Sequence, residues 1–111
     1  MEREIHDFIS YLHETKKSSS NTEISYERDL RKMARFLEDR GIREAKAVRE
    51  LDLEGYLDYM ERGEFAPSTI SRSVASIRAF FQYQMKVNGM EKDPSDNLRP
   101  PKVEKKMPEI L

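Results

Sequence analysis

Of the residue types able to do chemistry, this chain of 111 residues holds few in productive company. His6 and His13 can share the face of one helix, but two imidazoles alone make no metal site, and surface or structural histidines are the reading. The serine run Ser18-Ser19-Ser20 has no histidine or aspartate arranged around it, which points to capping and linking rather than nucleophilic attack. Glu23, Glu27 and Glu38 fall on one flank of a helix and read as a solvated face, not an acid/base pair. The 4 glycines stand singly at expected helix ends, so there is no Gly-rich loop to cradle a phosphate. A cysteine count of 0 removes disulfides, thiolate zinc sites and thiol nucleophiles together. No catalytic residue, metal site or cofactor is expected, and the chain by itself reads as no enzyme.

Binding is better provided for. On a helical wheel Arg28, Lys32 and Arg35 project nearly opposite an apolar stripe of Tyr26, Leu30, Met33 and Leu37, with Asn21 on the same side and Ser25 beside it. Like charges at such spacings cost about 0.2–0.5 kcal/mol per pair in an isolated helix, and an external polyanion turns that cost into attraction. A solvated helix face accounts for the row equally well. A later segment, from Ser68 to Lys86, carries Arg72, Arg78 and Lys86 and no acidic residue. Opposite its apolar stripe lie Ser68, Arg72, Ala75, Ala79 and Lys86, small enough around Arg72 to let a helix enter a DNA major groove. Alanine chosen for helix propensity, or a small face packed on the third helix, is the competing account. Arg72, beside Ala75 and Ser76, has three open roles: a two-point bond to a guanine edge, a phosphate contact, or a salt bridge within the domain. Glu50, Asp52, Glu54, Asp58, Glu61 and Glu64 face a lone Arg62 and should point away from any nucleic acid.

These residues need helices to hold them, and the apolar spacing supplies four. Ile5, Phe8, Ile9 and Leu12 predict a first helix over about residues 2–16. Ser20 or Asn21 can cap the second, which carries the stripe above with Phe36 beside it and closes at Gly41. An irregular connector over about residues 42–50 leads to a short third helix, capped by Asp52, with Leu53, Tyr56, Leu57 and Met60, closed by Gly63. Pro67, at a first-turn position, opens a fourth helix striped by Ile70, Val74, Ile77 and Phe81, reinforced by Phe80 and Met85, and ended by Gly89. From Met90 the prolines 94, 100, 101 and 108, with lysines between, read as an extended linker. The expectation is an all-α, compact four-helix domain over residues 1–89 and a Pro/Lys-rich linker over 90–111, the linker being the most mobile part. One domain is all this length holds. With 20 Lys+Arg against 21 Asp+Glu, net charge -1, it is no uniformly basic coat for nucleic acid. No apolar run nears the roughly 18 residues of a membrane span, and the N-terminal residues lack a secretory signal, so a cytoplasmic protein without membrane contact is expected.

Ser20-Asn21-Thr22, Tyr26, Arg28-Asp29-Leu30, Phe36-Leu37 and Gly41 resemble the second-helix pattern of the tyrosine recombinase (phage integrase, Xer-like) family. The likeness continues through Pro67-Ser68-Thr69-Ile70, Arg72, Ile77-Arg78, Phe80-Phe81 and Tyr83 to Asp93-Pro94-Ser95 and Pro101-Lys102, Met107-Pro108 and Leu111. The resemblance implies an N-terminal core-binding (SAM-like) domain that clamps one side of double-stranded DNA through its second and fourth helices. It implies Thr22, Ser25, Arg28, Lys32, Ser68, Thr69 and Arg72 as DNA-facing, catalytic residues beyond position 111, and a parent that works as a tetramer on paired sites. With the wheel positions, the expected DNA-facing set is Asn21, Thr22, Ser25, Arg28, Lys32, Arg35, Ser68, Thr69, Arg72 and Ser76. The isolated chain is expected to be monomeric and to cleave nothing. Two other classes compete: a helical protein–protein interaction module docking through its first or acidic third helix, and a small helix-turn-helix regulator, against which the proline-lysine tail argues.

Overall fold

A computed structural model describes residues 1–17 and 19–99. Four helices build it: α1 (Glu2–Tyr11), α2 (Ser20–Glu38), α3 (Glu50–Arg62) and α4 (Pro67–Val87). There is no strand among the described residues. The all-α expectation holds, and α1 runs on through one wider π turn at Leu12–Lys16, which brings it to the predicted end.

Each helix start has a local cause. Ser19, one residue earlier than expected, caps α2: its hydroxyl accepts the Thr22 N–H at 3.2 Å and donates to Thr22 Oγ1 at 3.0 Å. At α3 the expected cap is corrected. Arg49 is the capping residue, and Asp52 stands inside the helix, its carboxylate reaching back to accept the Arg49 N–H at 2.8 Å. Pro67 opens α4, where its missing N–H removes no helical bond. Gly41 (φ 85°) takes the left-handed turn that ends α2 and lets the Ile42 N–H bond the Leu37 carbonyl at 2.9 Å.

The helices share one core, in which α2 and α4 pack against each other and each also against α1 and α3. Leu30, Met33 and Leu37 of α2 meet Leu53, Tyr56 and Met60 of α3 and the full Ile70–Phe81 stripe of α4. Phe8 of α1 packs edge-on to Phe80, ring centroids 5.7 Å apart. Tyr26 is only half-buried and stacks on Phe8. Met85 is exposed rather than reinforcing the stripe, because Gln84 takes the buried place beside it.

The linker expectation is corrected at its near end. The core reaches to Leu98, which is 3 % exposed and touches the buried cluster. Asp93 folds the chain back by accepting the Ser95 N–H at 2.9 Å and its hydroxyl at 2.6 Å, which buries Ser95 completely. Prolines read as extended chain therefore stand, at Pro94, inside a packed turn. The rest of the expected linker, residues 100–111, lies outside the described residues, as does Ser18.

Candidate nucleic-acid interface

On α2, Arg28, Lys32 and Arg35 are all exposed, and none has a carboxylate within salt-bridge distance among the described residues. Arg31 differs. It bonds Glu27 at 2.8 Å and Glu2 at 2.7 Å, and those hydrogen bonds raise its pKa further. The Glu27–Arg31 pair thus lies in the same groove as Arg28, Lys32 and Arg35, where one cation is neutralised and three are not salt-bridged among the described residues. Ile24, an exposed apolar side chain, lines the same shallow groove as Arg28, Lys32 and Arg35 and was not singled out from the sequence. Asn21 and Thr22 are exposed at the start of α2, and Ser25 is half-buried. The Thr22 hydroxyl is already engaged by the Ser19 cap.

On α4, Ser68 is exposed, Thr69 half-buried, and Ala75 and Ala79 exposed and half-buried. Two contacts join this helix to the α2 row. Arg72 donates from Nε to Asp29 Oδ2 and from Nη2 to Asp29 Oδ1, both at 3.0 Å. The Lys32 ammonium stands 5.6 Å from the centroid of Phe65, just before α4 begins. Asp29 meeting Arg72 while Lys32, later in α2, reaches Phe65 means the two helices run in opposite senses along one seam. The sequence left three roles open for Arg72, and the intramolecular salt bridge is the one the structure contains.

Ser76 is corrected. It is 0 % exposed, with Oγ 3.0 Å from Asp29 Oδ2 and 3.1 Å from the Arg72 carbonyl, so its single proton serves one of these and it offers nothing to an outside ligand. It was placed outward because Arg72 is. The wheel position one step further round turns inward, since α4 is covered on three sides. Asp29, quoted above only as part of the family pattern, has a role there that the sequence reading did not assign. It is 1 % exposed and stands four residues before Met33, at the margin of the stripe, where a carboxylate needs a partner. That placement was the available signal.

No group of three or more His, Cys, Asp or Glu side chains is arranged to hold a metal among the described residues. His6 is exposed, and His13 Nδ1 lies 3.1 Å from Glu23 Oε2 at the surface. On α3 the carboxylates of Glu50, Glu54, Asp58 and Glu61 are exposed, and Leu51 beside them is 77 % exposed.

Residues 5–88 match the family described as phage integrase, N-terminal SAM-like domain. Among curated proteins the chain is 34 % identical over 105 residues to a Caldanaerobacter subterraneus protein whose name places it provisionally among the tyrosine recombinases; this covers 95 % of the chain and 36 % of that protein. It is 32 % identical over 87 residues to tyrosine recombinase XerC of Listeria welshimeri, covering 78 % of the chain and 29 % of that protein. It is 29 % identical over 111 residues to XerC of Herpetosiphon aurantiacus, covering 100 % of the chain and 36 % of that protein. The chain thus spans about a third of the length of the curated relatives it matches. No solved structure matches it.

Proposed function

The chain belongs to the tyrosine recombinase (phage integrase) family, matching its N-terminal SAM-like domain, and on that premise we propose that it is the core-binding part of a site-specific recombinase. It grips double-stranded DNA along the α2–α4 seam and cuts nothing itself. The observation that carries this is the row Arg28, Lys32 and Arg35, three exposed cations without a carboxylate partner among the described residues, beside a salt-bridged Arg72. Uncompensated cations on a rigid helix suit a phosphate backbone, which rewards their mutual repulsion with counterion release. The DNA-facing set in this reading is Asn21, Thr22, Ser25, Arg28, Lys32, Arg35, Ser68, Thr69 and Arg72, without Ser76. Strand cleavage and joining then fall to residues outside this chain in a cytoplasmic parent, tetrameric on paired sites, while the isolated chain stays monomeric.

Titrating the 111-residue chain against duplex DNA at two salt concentrations tests this. Affinity should fall steeply as salt rises, and no covalent protein–DNA adduct should form. Salt-independent binding, no binding, or an adduct would each overturn the reading. One observation favours a docking role for α3 instead: Leu51 stands 77 % exposed among carboxylates. Absent DNA binding with a self-contained partner surface at Leu51 is the result that would put that reading first.

A further inference from the structure

A guanidinium presents five N–H donors in one plane, and Asp29 uses only the side-on pair, Nε–H and one Nη2–H. The second Nη2–H and the Nη1–H facing it form an end-on fork with no acceptor among the described residues, and the Arg72 side chain remains 44 % exposed. Its partner is fixed. Asp29 is buried at the junction of α2 with α3 and α4, Ser76 holds a second contact on the same oxygen, and the carboxylate is near enough to Tyr56 to help raise that hydroxyl's pKa. Arg72 is therefore held in one orientation, whereas Arg28 and Arg35 have no such tether among the described residues. A carboxylate set next to a phosphate-facing row weakens the attraction, so its contribution at this place is aim.

We propose that Asp29 is a positioning residue that aims the end-on fork of Arg72 out of the α2–α4 seam at the O6 and N7 edge of a guanine, making Arg72 the base-reading residue while the α2 row holds phosphates. The inference rests on the DNA-gripping reading above. Pre-orientation matters here because an arginine already locked gives up less freedom when it binds, and only a locked fork rejects a base whose edge does not match.

The test binds the 111-residue chain to a pool of randomised duplex DNA, sequences what is retained, and measures affinity for the unselected pool. The unsubstituted chain should enrich guanine at one fixed position. Asp29→Asn should lower that enrichment about tenfold, while affinity for the unselected pool stays within about twofold or rises as a negative charge is lost. Arg72→Lys keeps the charge on a half-exposed side chain and serves if Asp29→Asn does not fold. It too should lose the guanine preference, because an ammonium cannot copy the two-point fork. An unchanged guanine preference in either folded variant would overturn the inference alone. So would an equal loss on selected and unselected DNA that tracks melting temperature, because that is what a purely structural pair gives. No binding by the unsubstituted chain at low salt removes the DNA reading and this inference with it.

Discussion

Asp29 shows how much one residue decides. A carboxylate that is 1 % exposed is satisfied by three hydrogen-bond contacts, two from Arg72 and one from Ser76. Arg72→Ala leaves it with the serine alone, an uncompensated buried charge. The loss should be about 3 kcal/mol, at the low end for such pairs because Arg72 is half-exposed. Thermal unfolding should then move down by roughly 10–20 °C, and a melting point within about 2 °C of the parent would show the pair to be a weak surface contact. Tyr56 gives a second reading of the same junction. Burial above all, with the Asp29 carboxylate and Tyr59 adding, pushes its hydroxyl well above the ordinary tyrosine value of 10.0. The folded chain keeps that proton after the unfolded chain starts to release it, so stability is full below about pH 10 and falls as pH rises further. Tyr56→Phe should flatten that alkaline fall in urea midpoints, leaving a residue from Tyr83, whose hydroxyl is raised by burial and by nearby Asp7. Parallel curves would show that Tyr56 does not carry it. Tyr56 was legible in the sequence as a stripe residue, whereas Asp29, Ser76 and Gln84 were not. A buried polar side chain is defined by its partner, and Arg72 lies 43 positions from Asp29 along the chain.

At the scale of elements, helical spacing carries nearly everything. The stripes Leu30–Met33–Leu37 and Ile70–Val74–Ile77–Phe81 are buried as their periods predict, and Pro67, Gly41 and Gly89 stand at the ends they mark. The caps slip by a few residues because serines and acids near a helix start can bond from several positions: Ser19 rather than Ser20, Arg49 rather than Asp52. The larger departure is the turn after α4. Proline and charge around residues 91–99 read as exposed chain, and periodicity could not show that a single Leu98 finds the core. The Arg78 Nη1 lies 3.5 Å from the Leu98 carbonyl and helps hold the turn on α4. Leu98→Ala should lower stability by about 3 kcal/mol in denaturant unfolding, the usual loss for a buried leucine. A change below about 0.5 kcal/mol would mean that the turn adds little to the domain.

Across the whole molecule, a net charge of -1 conceals a division by element. Exposed carboxylates gather on α3, and Arg28, Lys32 and Arg35 stand unpartnered among the described residues of α2, so the field has a direction although the sum is near zero. That division was legible from the wheel, because charge on an exposed face needs no knowledge of packing. The joining of the α2 row to the start of α4 was not, since it depends on Asp29–Arg72 and Lys32–Phe65 contacts between distant residues. In the function proposed above, this seam holds duplex DNA by its phosphates. The most direct measurement is the slope of log affinity against log salt for the parent chain and for the variant with Arg28, Lys32 and Arg35 all changed to Ala. Taking these three cations off the phosphate backbone should flatten the slope by roughly 2.7 units, with affinity falling about equally on every sequence. An unchanged slope would contradict the account and leave the row as a solvated helix face.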